Sequence, residues 1–222
     1  MSNDKLFQKR KARGGDDLRR KKAKRAPYDR VLIVCEGSKS EPKYLSDLID
    51  SLKLNNANLE ICGECGSDPK SIFFHAKNKY LKEKRRNDAY DRVFCVFDRD
   101  QHAKYDEVKN IIASHTPAGL YRAITSVPCF EYFILLHFEY STAPYEKVGK
   151  RSGCDCVIQR LNLHLPNYGK GSEGLFAKTY DKLDYAISNC EKAMKASQNV
   201  ENENPSTLMH ELVEYLQKLA RN

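Results

Sequence analysis

The sequence predicts an α/β fold, a mainly parallel sheet flanked by helices, with a helical C-terminal extension and a disordered basic N-terminal arm. Three observations predict it. The runs 31–35 (VLIVC) and 92–97 (RVFCVF) are short, apolar and rich in β-branched or aromatic residues, as strands buried on both faces require. Between such runs apolar residues recur at helical spacing, giving a β-α-β-α-β-α-β rhythm. Residues 1–27, by contrast, have no apolar periodicity.

The arm comes first. Residues 1–30 carry twelve Lys/Arg against four Asp, whereas residues 31–222 carry 26 of each sign, so the net charge of +8 resides in the arm. A basic arm on a neutral body suits a polyanion, because each phosphate neutralised releases a counterion. Lys21, Lys22, Lys24 and Arg25 are the candidate nucleic-acid contacts. A solubilising tail without a specific partner is the plainer alternative.

The body follows at residues 28–140. After the strand at 31–35, Pro42 sits near the first turn of a helix that repeats Leu45, Leu48, Ile49 and Leu52. Asn55-Asn56 breaks it, and Leu59–Cys62 is a short second strand. Pro69 opens a helix along Ile72, Phe73, Ala76, Tyr80 and Leu81. The strand at 92–97 stops at Asp98-Arg99-Asp100. A helix over Tyr105–Ser114, a strand over Tyr121–Val127 and an apolar helix over Cys129–Phe138 complete the body. Residues 141–222 form an insertion and C-terminal helices packed on the core. Residues 141–177, rich in Gly, Pro, Ser and Lys, are irregular or partly helical. One helix runs from Thr179 to Ala196. The last starts at Asn204, a cap, with Pro205 in its first turn, and packs Leu208, Leu212, Tyr215, Leu216 and Leu219 on the body.

Composition excludes several classes. No apolar run approaches the roughly 20 residues of a membrane span, and the polar first thirty residues are no secretory signal, so a cytoplasmic protein is expected. There the eight cysteines give no reason to expect disulfides, and Cys35, Cys95 and Cys129 read as small buried hydrophobes. Cys62, Cys65, Cys154 and Cys156 make a poor zinc set, since the pairs lie roughly ninety residues apart. Gly169–Gly174 lacks the Walker spacing and a preceding strand, so no ATP site is expected there.

The chemistry is expected at the strand exits. Functional groups of an open α/β sheet collect beyond the carboxyl ends of its strands. Glu36 follows the first strand, and Asp98 and Asp100 follow the third. If those strands are neighbours the three acids converge, and their repulsion calls for a cation. An all-oxygen set favours Mg²⁺ or Mn²⁺. Gly37 leaves room for a phosphate, and His102 is placed to bind metal, shuttle protons or brace Asp100. His137 and His210 read as core histidines.

A strand ending in Glu36-Gly37 and a later one ending in Asp98-Arg99-Asp100 together resemble the Toprim domain of topoisomerases, bacterial primases and the overcoming-lysogenization-defect nucleases. The resemblance implies that residues 28–140 form a Toprim-like metal-binding domain. The segments CEGSKSEPKYL (35–45), FDRDQH (97–102), CFEYFILLHF (129–138), NYGKG (167–171) and NPSTLMHELVEYL (204–216) resemble, in order, motifs of the RloB-like family, which includes the AbiLii abortive-infection component. That resemblance implies phage defence and an AAA- or ABC-type ATPase encoded nearby. The likeness to the nucleases implies a two-metal site using Glu36, Glu41, Asp98, Asp100 and Glu131. Glu41 follows Glu36 by five residues where the pattern has four, and both Glu41 and Glu131 also suit the first turn of a helix. Lys170 would stabilise charge on the scissile phosphate.

The expected function is therefore metal-dependent hydrolysis of RNA, such as tRNA, or DNA. Strand transfer or polymerisation would need modules these segments do not provide. A non-catalytic nucleic-acid-binding or assembly subunit is the alternative from a different class, and a homo-oligomer is left open.

Overall fold

In the computed structural model the described residues are 28–55, 58–63, 66, 68–99, 102 and 104–221. Five strands form one sheet in the order β2-β1-β3-β4-β5: β1 (Val31–Cys35), β2 (Leu59–Cys62), β3 (Arg92–Asp98), β4 (Tyr121–Val127) and β5 (Ser206–Thr207). The first four are mutually parallel, and β5 runs antiparallel on the edge of β4. Among the described residues eight helices accompany them: α1 (Ser40–Ser51), α2 (Pro69–Arg85), α3 (Tyr105–Ser114), α4 (Glu131–Leu135), α5 (Gly153–Leu161), α6 (Leu175–Thr179), α7 (Leu183–Asn199) and α8 (Met209–Arg221). A 3₁₀ turn, Tyr180–Lys182, joins α6 to α7. Among the described residues no helix is long and apolar enough to cross a membrane.

Every residue of β1 is fully buried because both sheet faces are covered. The period-two alternation of a strand divides it between two cores. Val31, Ile33 and Cys35 join α1, α4, α5, α7 and α8 on one face; Leu32 and Val34 join α2 and α3 on the other. The C-terminal region therefore shares a core with β1 and β3. Within α8, Leu212, Leu216 and Leu219 are buried and Tyr215 packs on Phe94, their ring centroids 5.1 Å apart.

Two expectations are corrected. The last helix begins at Met209, not at Asn204-Pro205. Asn204 instead pairs with the backbone of Tyr145, accepting from its N–H at 3.2 Å and donating to its carbonyl at 3.0 Å. Ser206, Thr207 and Leu208 spend their backbone groups on β4, with Leu208 N donating to the Thr125 carbonyl at 2.9 Å. Sheet pairing outcompetes helix capping here. The preceding helix likewise starts later than Thr179, at Leu183, after the 3₁₀ turn.

The second correction concerns cysteine. Cys129, read as an unpaired hydrophobe in a chain without disulfides, is bonded to Cys154, their Cα atoms 5.6 Å apart. The bond is formed because α5 packs its first turn against the chain leaving β4, within ordinary disulfide reach. Cys35 and Cys95 are buried and free of disulfides.

Candidate functional site

The site grows from the register of β1 and β3. Cys35 stands opposite Val96, and Glu36 N donates to the Val96 carbonyl at 3.0 Å, so the two strands leave the sheet side by side. That brings Glu36 against Asp98: the Asp98 N–H donates to Glu36 Oε2 at 3.0 Å. His102 Nε2 lies 3.1 Å from Glu36 Oε1. Both carboxylate oxygens of Glu36 are thus oriented, and each retains a lone pair.

Two further acids arrive from helices. Glu41 is in the first turn of α1 and Glu131 is the first residue of α4, after β4; both are buried. Tyr168 donates to Glu131 Oε1 at 3.2 Å, and Lys170 Nζ lies 3.8 Å from Glu131 Oε2. Cys154 Sγ lies 3.5 Å from the same Oε2; as half of a disulfide it has no proton to donate. The loop bearing Tyr168 and Lys170 is fastened to α1, where Gly171 N donates to Ser40 Oγ at 2.9 Å and Lys43 Nζ donates to the Gly171 carbonyl at 3.1 Å.

The electrostatics record this crowding. Burial, reinforced by Glu131 and Glu36, pushes the Glu41 carboxyl up to about 7, with Lys170 pulling it down. Burial also raises Asp98 well above the usual carboxylate range, helped by Glu41, Glu131 and Glu36 and opposed by Lys170. Glu41 and Asp98 hold their protons more tightly because burial and the neighbouring carboxylates, opposed by Lys170, disfavour their ionised forms.

Of the residues expected at the site, the structure brings together Glu36, Glu41, Asp98, Glu131, Lys170 and His102. Asp100 lies outside the described residues, as do Lys21, Lys22, Lys24 and Arg25. Gly37 is less constrained than its neighbour in space: a Cβ there would meet Glu41 Oε2 at an ordinary 3.5 Å. Gly63 is the residue without room. A Cβ at Gly63 would lie 2.5 Å from the Gly37 carbonyl oxygen and 2.9 Å from Ser38 Cα, so this glycine lets β2 approach the loop carrying Glu36. Sequence reasoning missed it, along with Tyr168; the CGEC and NYGKG segments held the signals.

The donor chemistry fits a hard divalent ion, since the converging groups are carboxylates. Their spacing is open. Among the described residues the trio of ligand atoms within 4.8 Å of one another is Cys129, Glu131 and Cys154, whose sulfurs are already joined. An ion held by only some of these carboxylates would keep several of its waters, which is the habit of Mg²⁺.

No curated protein and no solved structure matches the chain. The model of the RloB-like protein family does match, over residues 31–216, a span that takes in all four clustered acids and the loop with Lys170. This chain belongs to the RloB-like family.

Proposed function

We propose that this chain is a divalent-metal-dependent phosphodiesterase acting on nucleic acid, with a Toprim-like catalytic framework, serving as the effector of a cytoplasmic antiphage abortive-infection system. The observation that carries the reading is the meeting of Glu36, Glu41, Asp98 and Glu131, from the exits of three parallel strands and the start of α1, opposite one lysine. Such a cluster is short of positive charge, which Mg²⁺ or Mn²⁺ would supply.

Glu36, Glu41 and Asp98 would hold the ion or ions, joined by Asp100, two residues beyond Asp98 in sequence. When bound, the metal supplies Lewis-acid stabilisation of the charge that develops on phosphodiester oxygens. His102 and the Asp98 N–H keep Glu36 in one orientation. Glu131, buried and held by Tyr168, anchors Lys170 beside the acids, where its ammonium would face a bound phosphate. A protein nucleophile is not required, since water serves in hydrolysis. An AAA- or ABC-type ATPase would restrain or trigger the enzyme.

The test is incubation with total tRNA, single-stranded RNA and plasmid DNA, with and without Mn²⁺ or Mg²⁺ and the ATPase. Cleavage is expected that EDTA and Asp98→Ala/Asp100→Ala abolish. Equal product from wild type and double variant would overturn the reading.

A further inference from the structure

Helix α2 has two dissimilar faces. Ile72, Phe73, Ala76 and Tyr80 are buried against the sheet. The outer face carries Lys70, Phe74, Lys77, Leu81 and Lys84 at successive steps of three or four residues, which places them on one stripe, with the exposed Arg85 next to Lys84 in sequence. Over its 17 residues the helix has six Lys/Arg and one acid, Glu83, which already meets Arg30 at 3.4 Å and Arg86 at 2.8 Å. This is a concentrated positive strip on a body, residues 31–222, whose charges balance only in total.

The strip also has an aromatic platform. Phe74 is 47% exposed although its neighbour Phe73 is buried, and Lys70 Nζ lies 5.9 Å from the Phe74 ring centroid. Leu81, two turns further on, is 37% exposed. A basic strip with an open ring is the combination that holds a polynucleotide strand without reading its sequence: cations take phosphates and the ring takes a base.

The strip leads to the acids. Its N-terminal end opens on a cleft of about 560 Å³ lined by Lys70, Phe74, His102 and Lys104 among others. His102 is the residue bonded to Glu36. From Lys70 to Arg85 the helix extends about 22 Å away from that cleft, at 1.5 Å per residue.

We propose that the outer face of α2 is a binding track for a single-stranded polynucleotide, with Phe74 stacking on a base and Lys70, Lys77, Lys84 and Arg85 taking phosphates. The track delivers the strand to the cleft at His102; this last clause rests on the phosphodiesterase reading, whereas the binding does not. A duplex is disfavoured because its base faces are already stacked on one another. An acidic peptide would use the lysines and leave the ring idle.

The chain has no tryptophan, so Phe74→Trp installs a single fluorescent reporter in the full-length protein. In EDTA, that variant is titrated with a 20-nucleotide single-stranded RNA, the same sequence as DNA, the RNA duplex and poly-glutamate. Both single strands are expected to quench the tryptophan, while the duplex and poly-glutamate leave it unchanged. In parallel, fluorescence anisotropy follows single-strand binding to full-length variants with unaltered melting temperatures. Phe74→Ala should weaken binding about tenfold. Lys77→Glu/Lys84→Glu/Arg85→Glu should weaken it more and flatten the dependence of log affinity on log salt by about 2, at roughly 0.7 for each phosphate no longer neutralised. The proposal is overturned by an unquenched tryptophan on a chain that binds single strands, by equal quenching with poly-glutamate or duplex, or by wild-type affinity in both variants. Metal-dependent cleavage with the track silent would sink the track alone. Binding along the track without any cleavage, ATPase included, would sink the hydrolase alone.

Discussion

The backbone N–H of Asp98 donates to the side chain of Glu36 at 3.0 Å, joining the exits of β3 and β1. Neither residue depends on a long loop for its place. The parallel pairing of Val34 with Cys95 and Cys35 with Val96 carries both to the same end of the sheet, so their separation is set by strand spacing. Glu41 and Glu131, each on the first turn of a helix, then join the pair.

Removing a carboxylate should stabilise the metal-free protein. Glu41 is raised from 4.5 to about 7 in the fold, so the folded state holds this proton more tightly than the unfolded chain. Its contribution to stability is complete below pH 4.5 and is lost as pH rises to about 7. The loss amounts to at most about 3 kcal/mol, from 1.36 kcal/mol per pH unit. In EDTA, denaturant midpoints should show Glu41→Gln to be more stable than wild type at pH 8 and nearly equal at pH 4. Mn²⁺ should raise the wild-type midpoint at pH 8 and affect the variant less.

His137 should produce the opposite slope. Its Nδ1 faces the Phe133 carbonyl at 3.0 Å and its Nε2 faces the Tyr44 hydroxyl at 3.3 Å, so the neutral ring donates to the carbonyl and accepts from the tyrosine. Burial pushes its pKa from 6.5 to about 4. The unfolded chain takes the proton first, so stability falls as pH drops from 6.5 to about 4, by up to about 3 kcal/mol. Because Glu41 and His137 act in overlapping windows with opposite signs, wild type hides both. Urea titrations between pH 4 and 7 should show His137→Gln gaining stability toward acid and Glu41→Gln losing it; parallel curves would refute the assignment.

Gly63→Ala should be far more damaging than Gly37→Ala. The added methyl at Gly63 meets fixed backbone at the Gly37 carbonyl and Ser38, which must move the loop carrying Glu36; at Gly37 it meets only ordinary contact. A loss of roughly 1–3 kcal/mol is expected for Gly63→Ala, with activity falling further than the folded fraction explains. Thermal melts paired with cleavage rates provide the comparison.

Lys170→Met should lower the cleavage rate by roughly 10²-fold, the usual cost of losing one group that stabilises developing charge. It should also shift the acid side of the pH–rate profile upward. Lys170 pulls down the affinities of both Glu41 and Asp98 for protons, so without it these acids ionise at higher pH. An unchanged profile would place Lys170 outside the chemistry.

Alkylation of the unfolded, unreduced chain should modify Cys35, Cys62, Cys95, Cys156 and Cys190, leaving Cys129 and Cys154 protected. Cys154→Ser should cost about 3 kcal/mol, as expected for releasing a 25-residue closure. Modification of all eight in protein purified without reductant would contradict the bond.

What could be read from the sequence was what local pattern controls. β1 and β3 announce themselves because strands covered on both faces must be continuously apolar, and the acids at their exits follow directly. β5 does not, because Ser206 and Thr207 are two polar residues whose conformation is imposed by the open edge of β4. Nor does the position of Lys170. Its loop is irregular, and its course depends on contacts such as Gly171 with Ser40, which no periodicity encodes. The Cys129–Cys154 bond is equally silent, since it depends on where α5 docks.

The hydrogen bond from Gly171 to Ser40 has a mechanical consequence. Ser40 begins the turn that contains Glu41, and Gly171 follows Lys170 directly. A tug on the 167–171 loop is passed straight to that turn, so ammonium and carboxyl shift in step, like two teeth of one gear.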